Sequence, residues 1–80
     1  MNFGVYSCYN VLSERHESLH SFVTDAMASA RLSVHLAHIS DLSEWRIYKV
    51  GEIDVQTMEL KPLPHSLIPV INRNQTDITV

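Results

Sequence analysis

The stretch WRIYKVGEID, from Trp45 to Asp54, constrains the fold more tightly than any other part of the chain. Trp45, Ile47, Tyr48, Val50 and Ile53 are aromatic or β-branched, the types that fill a pleated, half-buried surface. Alternation puts Trp45, Ile47, Lys49 and Ile53 on one face and Arg46, Tyr48, Val50 and Glu52 on the other. The first face is mostly apolar, and the second mixes aromatic and charged groups. Gly51 interrupts the run, as a β-bulge or a close backbone approach requires. A turn near 54–57 and a return toward Leu60 complete a strand–turn–strand unit.

The rest of the chain must supply what covers the apolar face. Its 80 residues suit one domain, which buries roughly 60–65% of its unfolded surface. An apolar content of 45% with two glycines argues for a packed core. The single cysteine, Cys8, excludes an internal disulfide framework and fits a reducing compartment. No apolar run is long enough for a membrane span, and residues 1–10 lack the pattern of a signal peptide. Asn74-Gln75-Thr76 spells a glycosylation acceptor, which without secretion is chance.

In chain order, Phe3 to Tyr9 reads as a first strand, with Phe3, Val5 and Tyr9 on one side and Tyr6 and Cys8 on the other. Residues 10–19 read as a loop, and Leu19 to Val23 as a short second strand. Thr24 is a good N-cap, and Asp25 suits the positive end of a helix dipole. Ala26, Met27, Ala30, Val34 and Ala37 recur at helical spacing, so 25–38 reads as an amphipathic helix with that stripe on the sheet. Leu32, Leu36 and Ile39 lie on its opposite side and need a cover, either the C-terminal tail or a second subunit. Asp41 to Glu44 is a polar break. Pro62 and Pro64 are expected to end regular pairing. The domain therefore divides into a core over 1–61 and an extended tail over 62–80. Ile68 and Val70 in the tail are candidates, with Leu32, Leu36 and Ile39, for an oligomer interface. Residues 72–80 read as a frayed end or a last edge strand carrying Ile78 and Val80.

Few residues carry chemistry. His16 with His20, and His35 with His38, have legal ligand spacings, but no thiol or carboxylate pattern completes a site. They read as solvated or helix-capping histidines. Cys8 with a histidine has no visible oxyanion-hole turn and sits within a strand. Gly4 and Gly51 make no phosphate-cradling loop, and Glu52 and Asp54 read as a solvated strand end. No catalytic residue, metal or cofactor is expected. One constellation points to binding: Arg46 and Tyr48 on one strand face, with Tyr6 on a neighbouring strand. Bases of single-stranded nucleic acid stack on such rings while cations meet phosphates. Lys49 and Arg31 complete the candidate DNA-binding set. The bland alternative is a cross-strand tyrosine pair packed at a sheet surface or subunit contact. A formal charge of −3 with six Lys and Arg weighs against tight non-specific binding.

Three segments in the same order resemble the small non-structural protein of gokushoviruses, microviruses with circular single-stranded DNA genomes. They are Val5-Tyr6-Ser7-Cys8-Tyr9-Asn10, the helix segment from Asp25 to Arg31, and Trp45-Arg46-Ile47-Tyr48-Lys49-Val50-Gly51-Glu52-Ile53-Asp54, with the family's signatures at Tyr6–Asn10 and Ile47–Asp54. The family typically opens with Y-S-x-Y-D and continues with an aromatic-bearing segment, here matched by Phe22. An Ala/Arg-bearing helix and a strand of type L-Y-x-L-G-E-F-D follow. Asn10 replaces the family's acid, and Val55-Gln56-Thr57-Met58 lacks the glycine usual in the turn. The resemblance implies a non-enzymatic DNA-binding accessory protein in the cytoplasm of the infected bacterial host. There it would help shift viral single-stranded DNA from replication to packaging, with the replication complex or the procapsid as further partners.

The sequence thus predicts an α+β fold, with one amphipathic helix on a small, mainly antiparallel sheet in the order ββαββ. It predicts a homodimer or higher oligomer, with no membrane partner. The rival reading is a protein–protein adaptor or homo-oligomeric scaffold that contacts the replication initiator or procapsid without binding DNA.

Overall fold

Backbone pairing, more than side-chain pattern, decides where the strands run. The structure, a computed structural model, describes residues 1–72. Four strands, β1 (Asn2–Asn10), β2 (Arg15–Phe22), β3 (Trp45–Asp54) and β4 (Glu59–Ile68), form one antiparallel sheet in the order β2-β1-β3-β4. Helix α1 (Asp25–Ala37) joins β2 to β3, so it crosses over β1 and lies on one face of the sheet. A 3-10 turn at Leu42–Glu44 leads into β3. This is the expected ββαββ α+β class.

The strand β2 starts earlier than expected, within what reads as a loop. Its side chains are polar and mostly exposed, so sequence pattern hides it. Pairing with β1, from Asn10↔Arg15 to Gly4↔Phe22, is what makes it a strand. The hairpin between them closes on Asn10, whose side-chain oxygen accepts from the backbone N–H groups of Leu12 and Ser13 at 2.9 Å. Glu14 takes a positive φ of 57°. In the second hairpin Met58 takes φ 61° and donates its N–H to Asp54 O. The turn therefore closes without the glycine that would adopt this conformation more easily.

The strand β4 also outruns its expected end. Pairing continues through Pro62, opposite Gly51, to Ile68, opposite Ile47. Edge strands tolerate proline because one side needs no ladder hydrogen bond. The boundary expected at 62 is thus replaced by strand to Ile68, and the possible edge strand at Ile78 and Val80 lies outside the described residues. Gly51 fulfils its expected role: a Cβ there would lie 2.7 Å from the carbonyl oxygen of Lys61.

A bulge falls at Val50, between the pairs Tyr6↔Lys49 and Val5↔Gly51. It reverses the alternation, so Glu52 joins Lys49 on the helix side while Ile53 moves to the other face. Strict alternation through Gly51 misplaced both.

The helix sits on the sheet by the side opposite to that expected. Ala28, Ser29, Leu32, Ser33 and Leu36 are buried, whereas Met27 is 38% and Val34 46% exposed. The two serines make this possible. Ser29 Oγ donates to Pro69 O, and Ser33 Oγ accepts from Ile71 N at 2.9 Å. With both hydroxyls satisfied by the segment after β4, the face carrying the larger leucines can be buried. The core is Tyr6, Cys8, Ala28, Leu32, Leu36, Trp45, Ile47 and Ile68, flanked by Phe22, Leu42 and Val70. Thr24 caps the helix as expected, accepting from Met27 N.

Candidate functional site

Among the described residues the helix covers one face of the four-stranded sheet, and the other face presents side chains in an organised array. Each strand contributes one ring to it: Tyr9 from β1, His16 from β2, Tyr48 from β3 and His65 from β4. Cross-strand pairing explains the row. Tyr9 sits opposite His16 on one side and Arg46 on the other, and Tyr48 opposite Ser7 and Leu67. The rings meet mostly edge to face, with centroids 4.9 Å apart for Tyr9–His16 and 6.1 Å for both Tyr9–Tyr48 and His16–Tyr48. His65 closes the array 5.9 Å from His16 and 6.3 Å from Tyr48. These separations lie in the favourable range for aromatic pairs.

The row is held from below. Ser7 is only 2% exposed, and its Oγ lies 2.6 Å from His16 Nδ1, which fixes the imidazole. Beside the rings runs a groove of about 500 Å³ lined by Ser7, His16, Glu17, Leu19, Val50 and His65. That volume is within the usual range for small-molecule sites. Arg46 is exposed and sits opposite Tyr9 across the β1–β3 ladder. Its Nη1 donates to Ser43 O at 3.1 Å and Trp45 O at 2.8 Å, which orients the guanidinium.

The five residues expected to hold DNA do not share this face. Arg46 and Tyr48 do. Tyr6 is fully buried beneath the helix, and its hydroxyl donates to Asp25 Oδ1 at 2.5 Å. Lys49 is on that same side, its Nζ 3.3 Å from Asp25 Oδ1 and 4.0 Å from Glu52 Oε2. Arg31 is exposed on the helix, in the other layer. Tyr6, Lys49 and Arg31 are therefore removed from the site. Tyr6, Asp25 and Lys49 instead pin the start of the helix to β1 and β3.

Electrostatics agrees with that structural role. Burial first, and then the hydrogen bond to Asp25, push the Tyr6 hydroxyl well above the ordinary phenol range. The Tyr6 hydrogen bond, with Lys49 behind it, holds the Asp25 carboxyl below the usual carboxylate range. Burial, then the neighbouring His35 ring at 6.0 Å, lowers His20.

The expected oligomer contact changes too. Leu32 is 2%, Leu36 1% and Ile68 5% exposed within the chain's own core, and Val70 packs against it. The sheet and the segment after β4 cover them, so they offer nothing to a second copy. Ile39 alone of that set stays exposed. Cys8 is sealed in the core, where burial raises its thiol pKa against the lowering effect of a hydrogen bond from Ser18. Among the described residues no cluster of three His, Cys, Asp or Glu is placed to hold a metal, and no helix is long and apolar enough to cross a membrane.

Tyr9, His16 and His65 were missed from the sequence. Strand parity does place Tyr9 away from Tyr6, but only the register Ser7↔Tyr48 shows that Tyr9, not Tyr6, shares a face with Tyr48. No family model, curated protein or solved structure matches the chain.

Proposed function

We propose that the uncovered sheet face is a platform for single-stranded nucleic acid. On this reading the chain is a non-enzymatic accessory protein of a small single-stranded DNA phage. The carrying observation is the row Tyr9, His16, Tyr48 and His65, one ring from each strand, beside an oriented Arg46. Unpaired bases expose π faces that stack on such rings, at about 1–3 kcal/mol per base. A duplex keeps its bases stacked on each other and gains little from the row. The resemblance to gokushovirus non-structural proteins supports the setting: infected bacterial cytoplasm, at the change from genome replication to packaging. The viral replication complex and the procapsid are the further partners on this reading.

The net charge of −3 limits phosphate contacts, so affinity rests on stacking and falls gently with salt. The slope expected is about −0.7 per phosphate engaged on a single strand. Self-assembly into a homodimer or larger particle would multiply a modest site.

A second reading is favoured by Leu19, 67% exposed, and Leu67, 61% exposed, on the same face. Exposed leucines beside aromatic rings also suit a protein partner. Fluorescence anisotropy of a labelled oligonucleotide over a series of salt concentrations separates the two. The platform binds at low salt with a shallow slope; an adaptor shows no binding at any salt.

A further inference from the structure

Glu17 is out of place on a surface that meets a polyanion. It sits at the bulge where the β1–β2 register passes from Cys8↔Ser18 to Tyr9↔His16, so it has no partner on β1. At this edge position it borders the groove with Ser7, His16, Leu19, Val50 and His65, and also the cleft on the helix side with Ser13, His35 and Trp45. Its Oε2 accepts from Ser13 Oγ at 2.8 Å and lies 3.6 Å from Arg15 Nη2. Its Oε1 has no hydrogen-bond partner among the described residues. A carboxylate here repels phosphate, and it contributes to binding only if it accepts a hydrogen from the ligand.

We infer that the groove receives a nucleobase and that Glu17 selects bases bearing an exocyclic amino group. This rests on the single-stranded nucleic-acid reading above and adds a base preference to it. His16 and His65, whose rings meet edge to face at 5.9 Å, border the groove, and Leu19 and Val50 add apolar surface for the base. The carboxylate accepts from the N4 amino group of cytosine, a pairing carboxylates make in base recognition. Opposite the O4 carbonyl of uracil it meets lone pairs instead, so the two pyrimidines are discriminated at one position.

The test is anisotropy with the full chain and homopolymers of deoxycytidine and deoxyuridine, each roughly a dozen nucleotides long, within the range of single-strand site sizes. The wild-type chain is expected to bind deoxycytidine at least about fivefold more tightly. Glu17→Ala, a change at an exposed edge position, is expected to bring the two within about twofold by weakening deoxycytidine and strengthening deoxyuridine. Equal binding of both polymers by the wild type overturns the selection while leaving the platform standing. So does a preference that survives Glu17→Ala. Failure to bind either polymer at low salt overturns the platform and the selection together.

Discussion

The imidazoles of His16 and His65 lie 5.9 Å apart although β1 and β3 separate their strands. Three strand steps span about 14 Å in a flat sheet. The rings come this close because the two side chains reach toward each other across the intervening strands. The ladders around them are irregular, at Cys8/Tyr9, Val5/Tyr6 and Lys49/Gly51. Bulges bend the strand that carries them and increase its twist. The groove lies beside this row, which takes one ring from every strand.

If the row of rings holds bases, its central rings carry the affinity. Tyr9→Ala and Tyr48→Ala should each weaken oligonucleotide binding by about 1–3 kcal/mol, or roughly 5- to 150-fold. Far-UV circular dichroism should stay unchanged. Tyr6→Phe, on the covered side, should leave affinity as it is. An equal loss from Tyr6→Phe would mean that the uncovered face is not where the nucleic acid sits.

The orientation of the helix is tested by stability. Leu36→Ala removes a side chain only 1% exposed and should cost about 2–5 kcal/mol by urea unfolding. Val34→Ala, at a position 46% exposed, should stay within about 0.5 kcal/mol of wild type. The reverse order would mean that the helix packs by its other side.

Gly51→Ala should destabilise by about 1–3 kcal/mol, as overpacking does. The added Cβ meets a backbone carbonyl at 2.7 Å, not a side chain that can swing away. At Gly4 the three atoms nearest an added Cβ all belong to the Tyr6 side chain, its hydroxyl oxygen first, so Gly4→Ala disturbs the Tyr6–Asp25 bond rather than the β-ladder. A Gly51→Ala variant with wild-type stability would contradict the close approach of β3 and β4.

Stability should fall at both pH extremes through one hydrogen bond. The Asp25 carboxyl is lowered in the fold, so its contribution is present above the ordinary carboxylate range and is lost as pH falls through its lowered value. The Tyr6 hydroxyl is raised, so its contribution is complete below the ordinary phenol range and is lost as pH rises beyond it. His20, lowered by burial, contributes above the ordinary imidazole range and loses that contribution as pH falls. Thermal melts across pH should show Asp25→Asn flattening the acid limb and Tyr6→Phe the alkaline limb. Limbs unchanged in both variants would remove the bond from the account.

Much of the fold was legible because β3 is strongly patterned and Thr24 announces the helix. The class, the element order and the role of Gly51 followed from those residues. The strand β2 did not, because an edge strand of Arg, His, Glu and Ser has no apolar period and is defined by its neighbour's backbone. The helix was read the wrong way round because Ser29 and Ser33 count as polar in any periodicity, yet Pro69 and Ile71 satisfy their hydroxyls. The site was half legible. Arg46 and Tyr48 could be paired on β3 alone, whereas Tyr9, His16 and His65 join them only through three inter-strand registers.

The most direct test is chemical-shift mapping of the isotope-labelled chain titrated with a single-stranded oligonucleotide at low salt. The account predicts perturbations centred on Tyr9, His16, Tyr48 and His65, fading toward Arg46 and Leu67, with the outer helix around Ala26, Ala30 and Val34 unmoved. Perturbations confined to that helix surface, or none at all, would contradict it.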